Sequence, residues 1–175
     1  MFFPILKALH LQGFLDLGYL PANNWENLES RPMNLYALWT DGDSWRSEFQ
    51  GVINRGENIR VNSSSLKPEM LATGICLIYP TADELMPKLG FLPKEPYWFS
   101  NVPEWRCTSG LFNDSSQTSY QAEIYPLPSK ASMLTFHPFI QFNEIENYLL
   151  VLNITREPAI ETHQIELYNS SNLKR

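Results

Sequence analysis

The chain has 175 residues, of which 43% are hydrophobic, 18% charged and 13% aromatic, and its formal net charge at pH 7 is -6. This length and composition are typical of one folded domain, because a single core can grow to this size before the surface-to-volume balance favours splitting. We expect no nucleic-acid binding, because it requires clustered Lys and Arg to neutralise phosphates and the sequence has no such cluster. We therefore expect a single domain over residues 1–175.

Residues 1–32 are predicted to form an N-terminal arm, or a short helix, packed on the rest of the fold. Several apolar residues share one face of a helix, namely Phe2, Ile5, Leu6 and Leu9. Pro4 would have to lie in the first turn, and Gly13 and Gly18 interrupt any continuation, so an edge strand is the alternative. Charged and polar residues also interrupt this stretch, where a signal peptide or membrane span needs a continuous apolar run. We expect no membrane association and a cytoplasmic location.

A β-hairpin is predicted next. Apolar residues alternate at Leu35, Ala37 and Trp39, and the alternation resumes at Trp45. The intervening Asp41-Gly42 pair favours a tight turn.

The following segment is predicted to be a central strand and then a short helix. Residues 74–79 are apolar on both faces, as in a strand that is covered on both sides, and Pro80 is expected to end it. Thr81 and Glu84 have capping-box spacing, which predicts one or two helical turns before Pro87.

The second half alternates at period two in five short runs separated by turns: 105–111, 120–124, 134–142, 148–154 and 165–167. Strands joined by turns instead of helices are typical of antiparallel sandwiches and barrels. We predict a mostly β protein, an antiparallel β-sandwich or a barrel-like jelly roll, with one or two short helices. The pattern resembles immunoglobulin-like sandwiches, but Trp98 falls in a predicted loop and not on the strand that their Cys-Trp-Cys spacing requires.

A polar face is predicted opposite the apolar phase of these strands. It carries Arg106 on one strand, Gln121 and Glu123 on the next, and His137 on a third. Consecutive antiparallel strands usually pair, so these side chains would converge on one sheet face and bind a polar ligand. The alternative is that they form the solvated side of a half-exposed sheet.

Aromatic residues in and beside a proline-rich loop extend this candidate site. Trp98 and Trp105 would stack on sugar rings or on a protein partner, because flat rings bury a large area at low entropic cost. The alternative is that they fill the core. The predicted ligand-binding residues are therefore Arg106, Gln121, Glu123, His137, Trp98 and Trp105.

Motifs for catalysis, metal or cofactor binding are missing from the sequence. None of the three histidines, His10, His137 and His163, lies at zinc-ligand spacing, and the two cysteines, Cys76 and Cys107, have no ligand partners nearby in the chain. Nucleophile-elbow and phosphate-loop patterns are also missing. We assign no catalytic residue, metal or cofactor. Whether the chain is an enzyme stays open, with non-enzyme favoured.

Three functions follow as hypotheses. The favoured one is a non-catalytic β-sandwich that binds a polar small molecule, a glycan being one candidate, or a protein partner. The second is a small enzyme that acts on a carbohydrate-like substrate, with Glu123 and His137 as acid–base groups. The third is a structural subunit of a homo- or hetero-oligomer, in which the apolar loop surface is covered by another chain.

Overall fold

Two antiparallel sheets form the fold in the computed structural model, which describes residues 1–8, 10–21, 31–94, 104–121 and 154–159. The strands are β1 (Phe3–Leu6), β2 (Gln12–Tyr19), β3 (Met33–Thr40), β4 (Trp45–Ile53), β5 (Asn58–Asn62), β6 (Ile75–Thr81), β7 (Lys88–Leu89), β8 (Trp105–Phe112) and β9 (Gln117–Gln121). The first sheet has the order β1-β6-β3-β4-β7 and the second has the order β5-β2-β8-β9. The sheets are not closed into a barrel in the described ranges, so the predicted sandwich is confirmed.

The main hydrophobic core lies between the two sheets. Leu15 and Leu17 of β2 belong to it together with Ala37 of β3 and Ile78 of β6, and each of these four side chains is at most 1% exposed. Burial of each Leu or Ile side chain contributes about 1.5–3 kcal/mol relative to leaving it in water, so this layer is the main source of cohesion between the sheets.

A second hydrophobic cluster covers the opposite face of the first sheet. Its members include Tyr36 and Leu38 of β3 and Leu77 and Tyr79 of β6. They alternate with the residues of the main core, and successive side chains of a strand point to opposite faces. The first sheet is therefore buried on both faces at its central strands β3 and β6.

The predicted hairpin is confirmed as β3 and β4. Gly42 has a φ of 98° in the turn. The Asp41 carboxylate accepts hydrogen bonds from the N–H of Ser44 at 2.9 Å and of Asp43 at 3.1 Å, and Arg46 donates to it at 2.9 Å. These contacts, the Ser44 bond first and the Arg46 bond second, lower the pKa of Asp41 to about 2.

The predicted central strand is confirmed as β6, which lies between β1 and β3, but it extends through Pro80 to Thr81. Pro80 is tolerated inside the strand because it lies beyond Ile78, where the pairing with β1 ends.

The helix predicted after Thr81 is wrong. Thr81 Oγ1 accepts a hydrogen bond from the Asp83 N–H at 3.1 Å, and the Leu85 N–H donates to the Tyr36 hydroxyl at 3.2 Å. These amides thus find partners that do not require a helix, and the segment forms bends. The short helices lie elsewhere, as 3-10 turns at Ser63–Ser65 and Pro68–Leu71.

The N-terminal segment forms strands. β1 pairs with β6 at one end of the first sheet, and β2 lies inside the second sheet between β5 and β8. Gly13, which reads as a helix breaker, lies within β2, where a Cβ atom would be 1.7 Å from the Leu6 carbonyl oxygen. The missing side chain allows the two backbones to approach closely, and this contact brings the two sheets together near residues 6 and 13.

The two cysteines are both buried and unbridged, and they act as small apolar groups of the main core. Burial raises the pKa of the Cys76 thiol to about 12. None of the helices in the described ranges has the length and apolarity needed to cross a bilayer. The strands predicted beyond residue 121 lie outside the described residues.

Candidate functional site

The outer face of the second sheet carries a row of polar residues. Asp16 on β2 is paired in register with Arg60 on β5 and with Thr108 on β8, and Thr108 is paired with Gln121 on β9. Residues opposite each other on neighbouring strands point to the same face of a sheet. The same alternation sends Leu15 and Leu17 of β2 into the core, so this row lies on the outside.

A second, parallel row contains a glycine. Gly18 on β2 is paired with Asn58 on β5 and with Arg106 on β8. A Cβ atom on Gly18 would lie 2.4 Å from the Asn58 Oδ1 atom, so the Asn58 side chain extends over the space that a larger residue would occupy. Gly18 and Asn58 both line a depression in the sheet surface.

The two rows surround a shallow pocket of about 410 Å³. Gly18 lies at its floor, and the polar groups around it come from three strands: Asp16, Asn58, Arg60, Arg106 and Thr108. The volume is at the small end of the range for ligand sites in proteins, which is about 300–1,000 Å³.

One carboxylate in the pocket is already paired. Arg60 forms a bidentate pair with Asp16, donating through Nε at 2.7 Å and through Nη2 at 2.6 Å. Both side chains are about half exposed, so water screens this pair and its contribution to stability is small. The contact raises the pKa of Arg60 and holds its guanidinium in one place.

An aromatic ring supports this pair from below. The Arg60 guanidinium lies over the Phe14 ring, 4.6 Å from its centroid, and Phe14 is only 2% exposed although it is on the outer face. Gly110 on β8 makes room for the ring, since a Cβ there would be 2.6 Å from Phe14 Cε1. The ring and the carboxylate together orient Arg60 and leave it little freedom to bind anything else.

Arg106, unlike Arg60, is not held by a carboxylate. Its side chain is exposed, and it forms no ion pair with any carboxylate in the described part of the chain. The pocket thus contains two guanidinium groups and one carboxylate, and the excess positive charge belongs to Arg106.

The predicted site residues are placed as follows. Arg106 and Gln121 lie on the same outer face, on neighbouring strands. Trp105 lies on the opposite face, 6% exposed, and its ring stacks on Tyr19 with centroids 4.3 Å apart, so it is packed in the core. Three residues stay predictions because they lie outside the described residues: Trp98, Glu123 and His137.

The pocket residues missed by the sequence analysis include Asp16, Gly18, Asn58 and Arg60. Arg60 carries a signal, because it lies between Ile59 and Val61 in an alternating run and must face away from the core. The signal does not identify β2 as its neighbour, so Asp16 and Gly18 could not be placed beside it.

In the described ranges, no group of three or more His, Cys, Asp or Glu side chains could hold a metal ion. The pocket can instead offer a cation, an amide, a hydroxyl and a paired carboxylate to a hydrogen-bonding ligand.

The fold and the pocket together define a β-sandwich with a polar depression on the outer face of one sheet. No family model, no curated protein and no solved structure matches the chain.

Proposed function

We propose that this chain is a non-catalytic binding module that holds a polar ligand, with a glycan as the first class to test, on the outer face of its second sheet. The observation that carries the proposal is the pocket above Gly18, with polar groups on all three of the strands that surround it. A hydroxyl-rich ligand needs donors and acceptors from several directions, and a rigid sheet supplies them at fixed positions.

The donors and acceptors of the pocket have complementary roles. The Asn58 amide both donates and accepts, the Thr108 hydroxyl does the same, and Arg106 only donates. Sugar hydroxyls also donate and accept, so this set matches a saccharide edge better than it matches an apolar ligand.

Binding without catalysis is favoured by the state of the carboxylate. Glycoside hydrolysis normally needs two carboxyl groups on either side of the scissile bond. Among the described residues, the pocket lining contains one carboxylate, Asp16, and both of its oxygens accept hydrogen bonds from Arg60. The enzyme hypothesis would rest on Glu123 and His137, and replacing both with Ala without loss of any turnover on a carbohydrate panel would remove it.

A glycan array followed by NMR titration of the ¹⁵N-labelled chain tests the binding proposal. We expect a saccharide to shift the backbone amide signals of Gly18, Arg106 and Thr108. Gly18→Val is expected to abolish the shifts, because Gly18 lines the pocket and the added Cβ would displace Asn58 Oδ1, the end of a flexible side chain.

Gly90→Val is the matched control, since Gly90 is exposed and has open space around its Cβ position. A saccharide that binds wild type and Gly18→Val with the same affinity would show that the pocket is not the site. An array without any binder would count against the glycan class.

A protein partner is the second candidate, and it has its own supporting observation. On the first sheet, Phe49 is 52% exposed and Val52 is 49% exposed, and both lie on the face that carries Tyr36. Exposed apolar neighbours are typical of contact surfaces. Light scattering across a concentration series tests self-association, and a dimer that Phe49→Ser dissociates would support the subunit hypothesis.

A further inference from the structure

We infer that the ligand of the pocket carries a carboxylate group and that Arg106 is the residue that binds it. This inference rests on the proposed binding function and adds the chemical class of the ligand to it.

The charge of the pocket favours an anionic ligand. Arg60 and Asp16 neutralise each other through two hydrogen bonds, so they present little net charge to a ligand. Arg106 lies beside Gly18 in register, lines the same pocket, and has no ion-pair partner in the described ranges. With no carboxylate partner among the described residues, the Arg106 guanidinium at the edge of the pocket is a local site for an anion.

The geometry and charge of the pocket indicate which kind of anion fits. A guanidinium binds a planar carboxylate through two parallel hydrogen bonds, as Arg60 and Asp16 already do on the next row of the same face. Asp16 is paired in register with Thr108, next to the position that the ligand would occupy. Among the described lining residues, two guanidinium groups and one carboxylate give a net charge of +1. This charge matches a monoanion better than a doubly charged phosphate.

The other polar side chains of the pocket can bind the uncharged part of the ligand. Asn58 approaches the pocket from β5 and Thr108 from β8, on either side of the Gly18 floor. With Arg106 on the carboxylate, these two side chains can reach hydroxyl groups on a ring that lies above Gly18. A uronic acid, which is a sugar with a carboxylate at C6, has this combination of groups.

The test compares three ligands that differ at one position: D-glucuronate, D-glucose and D-glucose 6-sulfate. Each is titrated into the ¹⁵N-labelled chain at constant ionic strength, and the amide signals of Gly18 and Thr108 are followed. We expect glucuronate to bind about tenfold more tightly than glucose, because only glucuronate forms charge-assisted hydrogen bonds with Arg106.

Two charge variants locate the effect. Arg106→Gln is expected to weaken glucuronate binding about tenfold and to leave glucose binding nearly unchanged. Arg31→Gln removes the same charge from an exposed residue outside the pocket and is expected to bind as wild type does. Asp16→Asn is expected to strengthen glucuronate binding, because it releases Arg60 and removes the nearby negative charge.

The outcomes separate this inference from the function on which it rests. If glucose binds as tightly as glucuronate, or if Arg106→Gln binds glucuronate as Arg31→Gln does, the carboxylate assignment is overturned while the binding module stands. Tighter binding of glucose 6-sulfate than of glucuronate would replace the carboxylate with a sulfate ester. If none of the three ligands shifts the outer face and the glycan array is also blank, the inference and the proposed glycan-binding function both fail.

Discussion

Replacement of Gly13 by Ala is the sharpest test of how the two sheets are joined. The added methyl group would lie 1.7 Å from the Leu6 carbonyl oxygen, and this distance would have to lengthen to about 3.4 Å for ordinary contact. The obstacle is backbone, which cannot rotate away as a flexible side chain can. The shift would disturb the last pair of the β1–β6 ladder, Leu6 with Ile75, and the hydrogen bond from the Lys7 N–H to the Gly74 carbonyl at 2.8 Å.

The expected cost combines two effects. Overpacking in a well-packed core costs about 1–3 kcal/mol, and each weakened backbone hydrogen bond adds about 1 kcal/mol. We therefore expect Gly13→Ala to lower the free energy of unfolding by about 3–5 kcal/mol. For a chain of this length that loss corresponds to a Tm lower by roughly 10 °C.

Urea denaturation followed by tryptophan fluorescence, together with thermal melts followed by circular dichroism, measures the loss. Gly90→Ala is the control, because a Cβ at Gly90 meets no atom within 4 Å. Both variants lose the same backbone freedom in the unfolded chain, so their difference isolates the contact with Leu6. Unfolding free energies that agree within about 0.5 kcal/mol would refute the close approach of β1 and β2.

Three further predictions concern the core, the hairpin and the thiols. Trp105→Ala should cost about 3–5 kcal/mol in urea denaturation because it empties a buried site, and a loss below about 1 kcal/mol would contradict its burial. Asp41 has its pKa lowered from 3.8 to about 2, so its ionised form stabilises the fold above pH 4 and that contribution disappears as the pH falls towards 2. The urea midpoint of wild type should therefore fall more over this range than that of Asp41→Asn, and parallel pH profiles would contradict the turn contacts. Cys76 and Cys107 should react with a thiol reagent at pH 8 only after unfolding, and rapid reaction of the folded chain would show that they are accessible.

Local patterns were sufficient to predict a substantial part of the fold. The β3–β4 hairpin follows from alternation on either side of Asp41-Gly42, because the turn and both strands lie within a short stretch of chain. The two-sided apolar run of β6 likewise predicts a strand between neighbours. The helix after Thr81 failed because capping-box spacing does not reveal that the Leu85 amide meets the Tyr36 hydroxyl from another strand.

The candidate site was predictable only in part. Alternation along β8 predicts that Arg106 faces outward, and it also predicts that Trp105 faces the core. The position of Trp105 beside a loop suggested a ligand-stacking role instead, and the structure places its ring in the core. Asp16 and Arg60 are 44 residues apart in the chain, and no local signal connects them. Their pairing depends on which strands become neighbours.

The amino-acid sequence by itself determined the β class, the hairpin and the division of each strand into an apolar and a polar phase, because these follow from turn chemistry and from the period of two. Only the tertiary structure decided that β2 lies between β5 and β8, and hence that Gly18 is the floor of a pocket with Arg106 at its edge. The physical reason is that strand order is selected by packing throughout the fold, in which Gly13 meets Leu6 between β1 and β2 and Phe14 lies over Gly110 on the outer face of the second sheet.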